Sequence, residues 1–433
     1  MEILKEHDPF QLRAHFNHIY ATGDMASEEP PRFLLLLPPA PSPLSHSTLK
    51  AAFGDTLSQV LKEVASASSE SKDAAILEIA TSCPHLVGKQ QSPRSNVYAE
   101  TQSLVASLYK LICVTAAKDG VNVEDADGVD VRILLVAWSP DESSSTARQP
   151  FGPVIDLQTL AKSQRAWQYA FGVESESGEA MVKAFVAAKG GREDIGRVQS
   201  GPVMQSVGSA AASEDEAQSK SASPPHQAHG RHYHVAVGGT FDHIHIGHKL
   251  LLTMTVFAVD ESSEARQRSA TIGITGDQLL VNKKHASVLE SWEDRQRIVD
   301  SFIASLVDFA PASHSKRRQI TTRSDPGPNG KSVDIHYPNG LTIKCTEIQD
   351  PFGPTITEEA ISALIISAET RSGGKAVNDK RKDKGWKELD VFEVDVLDAD
   401  EDGDGAAKEG FESKISSTAI REKIAKKTAE SRL

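Results

Sequence analysis

The sequence predicts an α/β protein of two domains joined by a linker, and three observations carry that prediction. The chain has 433 residues, 39% of them hydrophobic, which exceeds one ordinary domain and is enough for two packed cores. Short apolar runs alternate with stretches of helical spacing in both halves, as in a sheet covered by helices. Between the halves, residues 190–230 are rich in Gly, Ser, Ala, Pro and Gln. Such a segment buries too little apolar surface to offset its ordering entropy, so it reads as a disordered linker. The boundaries are an N-terminal α/β domain over 1–189 and a C-terminal domain over 231–433.

In the first half, Phe33 to Leu37 is a buried-strand candidate followed by a Pro-rich turn, Pro38 to Pro43. Leu49, Phe53, Leu57, Leu61 and Val64 then recur at helical spacing. Ala75 to Ala80 and Val131 to Trp138 are further strands, Leu104 to Ile112 marks a second helix, and Asp156 can cap another helix containing Leu160 and Trp167. The alternation suggests a small parallel sheet. The order strand, Pro/Ser turn, helix echoes the start of the second half. That leaves two origins open: a decayed, catalytically silent duplicate, or an unrelated α/β domain used for stability or partner binding.

Composition narrows the function. A net charge of −13 argues against broad binding of nucleic acid or anionic membrane. Cys83, Cys113 and Cys345 are scattered without metal spacing and read as reduced thiols. No apolar run reaches the length of a membrane span. Glu2, Glu6 and Asp8 argue against a mitochondrial presequence, so a cytoplasmic location is expected.

The second half is organised around HVAVGGTFDHIHIGHK, His234 to Lys249. Val235-Ala236-Val237 reads as a buried strand, Gly238 and Gly239 as a turn, and Leu250, Leu251, Met254 and Phe257 as a helix. Glycines let backbone N–H groups approach a phosphate, and a helix N-terminus adds unpaired donors. His245 and His248, three apart, share one face of the first turn, and Gly247 between them leaves room for a base or ribose. Ala270 to Ile274 is the next strand. Lys283 and Lys284 stand just past its carboxyl end, where open α/β sheets bind ligands, although paired surface lysines would look the same. Ser291 to Asp294 fits a helix capping box. Val307 to Asn339 reads as a variable loop with at most a short strand. Ile343 to Ile348, Ile361 to Ser367 and the run around Val391 to Val394 are strands. Ser416, Ser417 and Thr418 open the last helix and offer three hydroxyls to phosphate oxygens, with Arg421 a turn further on. An ordinary Ser/Thr cap would look the same.

Gly239-Thr240-Phe241-Asp242 and His245-Ile246-Gly247-His248 together resemble the signature of the HxGH nucleotidyltransferase superfamily, and Lys414 to Arg421 (KISSTAIR) resembles its second motif. The intervening DPFGPTITEEAISALIISAETRSGGKAVNDKR looks like phosphopantetheine adenylyltransferases of eukaryotic and fungal type. The resemblance covers Tyr233 to the C-terminus and not the first half. It implies a five-stranded parallel sheet in a doubly wound, Rossmann-like fold, and transfer of AMP from ATP to 4′-phosphopantetheine, giving dephospho-CoA and pyrophosphate with Mg²⁺. It also implies roles: Thr240 on the attacking phosphate, His248 on the ATP α-phosphate, and Lys283, or Lys284 if the register slips, on the phosphopantetheine phosphate. Gly238, Gly239, Phe241, Asp242, His245, Gly247 and Arg371 would bind the nucleotide, with Ser416, Ser417, Thr418 and Arg421 on the β- and γ-phosphates. The Val307 to Asn339 insert, longer than in bacterial members, leaves the pantetheine contacts open. Another superfamily member using CTP or a nicotinamide nucleotide, or a nucleotide-binding scaffold for other CoA-synthesising enzymes, are the alternatives.

Two further strings mimic other motifs. DPGPNGKS, Asp325 to Ser332, nearly fits a phosphate-binding loop but has Asp where the first Gly belongs and no apolar strand before it. DADEDGDGAAKE, Asp398 to Glu409, matches a calcium loop in letters but follows a strand-like pattern where a helix is required. The adenylyltransferase expectation rests on one spatial requirement: His248 and Arg421 must close on the same nucleotide.

Overall fold

The computed structural model describes residues 30–68, 74–124, 128–141, 148–191, 195–199, 230–262, 266–325, 327–395 and 416–430. The two halves form two α/β layers, each around its own sheet, as the alternation of apolar runs predicts.

The first half runs β1 (Arg32–Leu37), α1 (His46–Ser68), β2 (Ile76–Ser82), α2 (Tyr98–Asp119), β3 (Asp130–Val136), β4 (Val154–Ile155), α3 (Leu157–Lys162), β5 (Tyr169–Glu174), α4 (Glu176–Ala188) and β6 (Gly196–Gln199). Its strands are parallel, in the order β4-β3-β2-β1-β5-β6. β1 is apolar after Arg32 and β2 is buried at every position, its Glu78, Thr81 and Ser82 included, as in strands covered on both faces. Two sequence expectations need correction. Asp156 caps α3 through Thr159 N, but α3 ends at Lys162, before Trp167, whose indole N–H instead donates to the buried Glu78. β6 lies inside 190–230, the span expected to be linker; it pairs with β5 through Val173 and Val198. Residues 200–229 of that span lie outside the described residues.

The second half runs β7 (His234–Gly239), α5 (Ile246–Phe257), β8 (Arg268–Thr275), α6 (Trp292–Val307), β9 (Gln319–Ser324), β10 (Lys331–His336), β11 (Leu341–Ile348), β12 (Ala363–Ser367), α7 (Arg371–Asp383), β13 (Asp390–Val394) and α8 (Ser417–Glu430). The sheet order is β13-β12-β7-β8-β11-β10-β9. β13, β12, β7, β8 and β11 form the expected five parallel strands. Val307 to Asn339 is not a loop with one short strand. Val333 and Ile335 alternate with polar residues and pair β10 antiparallel to β11, and β9 folds back on β10. Within DPGPNGKS, Asp325 N–H donates to Gly330 O at 2.9 Å at the bend between β9 and β10, and Lys331 and Ser332 already belong to β10, which removes it as a phosphate loop. The calcium-like string 398–409 falls outside the described residues. Both sheets place their first strand inside the sheet, the strands that follow it to one side (β2 to β4; β8 to β11) and the last two to the other, an order common among doubly wound folds.

One hydrophobic core runs through both halves. Gly152 N–H donates to Val307 O at 2.8 Å and Phe309 N–H to Pro150 O at 2.9 Å, so a first-half loop bonds to the end of α6. Arg165 crosses the same seam, donating to Ser305 O at 2.6 Å and Asp308 O at 2.9 Å while its guanidinium stacks 4.0 Å over Phe309. Elsewhere Asp260 accepts from Arg94 N at 2.8 Å, and Glu261 pairs with Arg94 and Arg148.

Candidate nucleotide site

A cavity of about 880 Å³ opens at the carboxyl ends of the five parallel strands of the second sheet, where Gly239, Thr275, Ile348, Ser367 and Val394 line it. It includes the switch point between β7 and β12, where such sheets bind their ligands. The turn after β7 forms one wall and the start of α8 another.

The β7–α5 turn is held in an unusual backbone. Phe241 and His243 have φ of 52° and 46°, a region that side chains of this size rarely occupy. Several buried groups hold it there. Arg295, fully buried on α6, donates to Thr240 O at 2.6 Å, Thr275 O at 2.8 Å, Glu290 O at 3.1 Å and Asp277 Oδ1 at 2.6 Å. His243 N–H donates to Glu290 Oε2 at 2.7 Å, and Glu290 N–H to Asp242 Oδ1 at 2.9 Å. Gly238 and Gly239, expected as the turn, are instead the last two residues of β7, paired with Gly273 and Ile274; a Cβ on Gly239 would sit 3.0 Å from the Phe241 ring, and one on Gly247 3.2 Å from the His245 ring.

His245 is the cap residue before α5 and His248 lies in its first turn. Their rings stack with centroids 3.9 Å apart. Neither Nδ1 has a hydrogen-bond partner among the described residues, although both atoms are shielded. Burial, reinforced by the nearby Lys249 charge, lowers the His245 pKa to about 4. Burial, then the neighbouring His245, holds His248 well below the ordinary imidazole range. Both rings are therefore neutral near pH 7, able to accept or donate one hydrogen bond each. Both residues line the cavity, where a neutral imidazole can hydrogen-bond an incoming polar group such as a phosphate.

Among the residues singled out from sequence, Gly238, Gly239, Thr240, Phe241, His245, Gly247, His248 and Lys283 line the cavity, as do Ser416, Ser417, Thr418 and Arg421. His248 and Arg421 thus border one space, which meets the spatial requirement. Ser416 caps α8, accepting from Ala419 N at 3.2 Å.

Three do not line the cavity. Asp242 is fully buried behind it, where its carboxylate accepts from Arg421 Nη1 at 2.5 Å. Its position suits anchoring the turn rather than touching a nucleotide. Lys284 contributes its backbone carbonyl to Arg421 Nε at 3.1 Å. Arg371 is exposed and donates from Nε to Glu393 Oε2 at 2.5 Å; the cavity wall at that point is made by Thr370, Gly373 and Gly374. Arg421 itself is buried and engaged at all three nitrogens, the third donating to Thr418 Oγ1 at 3.1 Å. In this state it docks α8 rather than offering a free fork to a phosphate.

Sequence reasoning missed Arg295, Glu290 and Asp277. A signal existed for the first: Arg295 falls three residues after Trp292 and four before Val299, on the apolar stripe of α6, where a charge needs dedicated partners. The floor beyond Lys283 was also unforeseen in detail. There Asp350 Oδ1 accepts from Phe352 N at 2.7 Å and Gly353 N at 2.9 Å, folding the DPFGP segment against the cavity.

Comparisons with known proteins divide the chain at the same place. A domain of unknown function (DUF8446) matches residues 25–205, and a cytidylyltransferase-like family matches residues 236–423. An uncharacterized protein of Schizosaccharomyces pombe is 37% identical over 192 residues, covering 44% of this chain and 48% of that protein. The phosphopantetheine adenylyltransferase of Saccharomyces cerevisiae is 34% identical over 190 residues, again 44% and 48%. That of Methanothermobacter thermautotrophicus is 29% identical over 167 residues, 39% of this chain and 76% of that protein. The match spans about half the length of the two fungal relatives. No helix among the described residues is long and apolar enough to cross a membrane. The second half of the chain carries a cytidylyltransferase-like domain, a nucleotidyltransferase type with distant homology to phosphopantetheine adenylyltransferases.

Proposed function

We propose that the protein transfers AMP from ATP to the phosphate of 4′-phosphopantetheine, releasing pyrophosphate. The observation that carries this reading is one cavity lined jointly by Thr240, His248, Lys283, Ser416, Ser417 and Thr418. The names of the yeast and archaeal relatives supply the acceptor. An acceptor phosphate oxygen attacks the ATP α-phosphorus in line. One P–O bond forms as the bond to the β-phosphate oxygen breaks, and the electron pair leaves with pyrophosphate. Lys283 and the Thr240 hydroxyl hold the acceptor phosphate, the α8 hydroxyls hold the leaving pyrophosphate, and His248 donates a hydrogen bond to the α-phosphate as its charge grows. No covalent enzyme intermediate is required; positioning and charge stabilisation supply the rate. Among the described residues no cluster of three or more His, Cys, Asp or Glu forms a metal cage. Mg²⁺ would enter on the triphosphate as part of the ATP substrate, the usual manner for this ion.

The description of the matching family as cytidylyltransferase-like favours a second reading, transfer from CTP to another phosphorylated acceptor. A pyrophosphate-release assay with each nucleotide against phosphopantetheine, phosphocholine and nicotinamide mononucleotide separates the two. His248→Ala is expected to cut turnover by roughly two to three orders of magnitude, the range for loss of one oxyanion donor. Full turnover in that variant would reject the mechanism.

A further inference from the structure

α5, the helix that starts at the two histidines, is buried nearly all round: Ile246, Lys249, Leu250 and every residue from Leu252 to Phe257 are out of solvent. A helix apolar on all faces needs covers on both sides. One cover is its own sheet; the other is α2 of the first half, with Tyr98 at 6.2 Å from Phe257 and the Arg94 guanidinium 5.0 Å over the same ring. Lys249, the residue after His248, points away from the cavity into the first half. Its ammonium donates to Asp130 Oδ1 at 2.6 Å and to Val131 O at 3.1 Å, at the start of β3. The opposite cavity wall is tied to the same body. Gln102 of α2 is buried and donates from Nε2 to Asp395 Oδ2 at 2.8 Å, and Asp395 lines the cavity directly after β13. Tyr98 packs 4.7 Å from Phe392 on that strand.

We infer that the first half is a fixed brace of the nucleotide site, in which Asp130, through Lys249, positions the histidine-bearing helix and Gln102, through Asp395, positions the β13 wall. The inference rests on the nucleotidyltransferase reading for its meaning, but the contacts exist without it. Asp130 and Gln102 are positioning residues, since neither lines the cavity. The brace gives the first half a part in the reaction without an active site of its own. It also explains a lysine on an otherwise apolar helix, because the ammonium replaces its lost water with one carboxylate and one carbonyl.

The test uses the full chain and reads the site directly. Asp130→Asn keeps the shape of the side chain and removes its charge. Ile79→Val, in the core of the first half, serves as a comparison that disturbs that core without touching the Lys249 contacts. The imidazole resonances of His245 and His248, assigned by single His→Gln variants, should shift in Asp130→Asn and stay at wild-type positions in Ile79→Val. ATP affinity should fall at least fivefold in the first and less than twofold in the second, and Asp130→Glu should recover part of the loss. Imidazole resonances that coincide with wild type in Asp130→Asn would overturn the brace. If Asp130→Asn gives no cooperative melt, Gln102→Ala tests the other wall by the same ATP titration, and unchanged affinity there overturns the proposal equally. A wild-type protein that neither binds ATP nor releases pyrophosphate would sink the enzymatic reading, while the resonances would still decide the brace.

Discussion

The Asp242–Arg421 pair offers the sharpest test of how the site is assembled. Both residues are buried, at 0% and 2% exposure, and the pair is the main polar tie between α8 and the β7–α5 turn. Asp242→Asn keeps an acceptor for Glu290 N but leaves the guanidinium facing a neutral amide. Removing one member of a buried pair costs about 3–5 kcal/mol, because the other charge is left uncompensated. The lower figure corresponds to roughly a hundredfold change in a two-state population, at ~1.4 kcal/mol per decade. A further hydrogen bond from α8 to the rest of the body is Arg421 Nε to Lys284 O, beside packing on the turn at Ala286–Val288. The loss should therefore appear as undocking of α8, with Ser416, Ser417 and Thr418, rather than as global unfolding. ATP affinity measured by calorimetry should fall by as much as about a hundredfold, in line with that population change. Amide exchange over 417–430 should accelerate while β7 and β8 stay protected. Adding Arg421→Met should restore most of the docking, since no unpaired charge then remains. Unchanged exchange in α8 together with ATP affinity within threefold of wild type would refute the assignment of this pair as the latch.

Three other outcomes follow from the same geometry. The His245 pKa of about 4 lies below its unfolded value near 6.5, so the neutral ring contributes stability that is fully present above pH 6.5 and is lost as pH falls towards 4. A fully buried ring would contribute ~3 kcal/mol; because this one borders the open cavity, about 2 kcal/mol is expected, and His245→Gln should flatten that part of a denaturation-versus-pH curve. Gly238→Ala should leave the melting temperature within a few degrees, as only Ile348 Cδ1 at 3.9 Å lies near the added methyl. It should weaken ATP binding roughly tenfold, through a methyl group placed in the cavity; unimpaired binding would mean that the nucleotide does not approach this backbone. Lys283→Ala should raise KM for the phosphorylated acceptor by tenfold or more, and more than Lys284→Ala does, since only Lys283 lines the cavity; equal effects would show that the acceptor sits elsewhere.

Much of this architecture was legible because the deciding signals are local. Apolar runs such as Leu34 to Leu37 can only be covered strands, and Gly238-Gly239 followed by helical spacing can only be a strand-turn-helix unit. Thr240, His248 and Ser416 to Thr418 line one cavity, and each is carried by a short local segment. What was not legible depends on partners distant in sequence. Asp242 reads as a ligand contact within its motif and becomes a latch only when Arg421, 179 residues away, is brought against it. Arg371 reads as a nucleotide contact until Glu393 is seen beside it. Lys249 carries no signal of its own in the sequence, and its role appears only when Asp130 arrives from the other half. β9 and β10 were obscured because a hairpin beside Pro and Gly residues has the composition of a loop.

The outermost strand has one further consequence. All six residues of β9 are exposed, and its outer edge is the free margin of the second sheet. Its one large apolar side chain is Ile320, while Lys316, Arg317, Arg318 and Arg323 lie along the margin, the last two paired with Asp300 and Asp325. Two copies meeting margin to margin would bring like charges together before any backbone ladder could form. In a chain whose net charge is negative, this local cluster of positive charge keeps the sheet from growing into its neighbours.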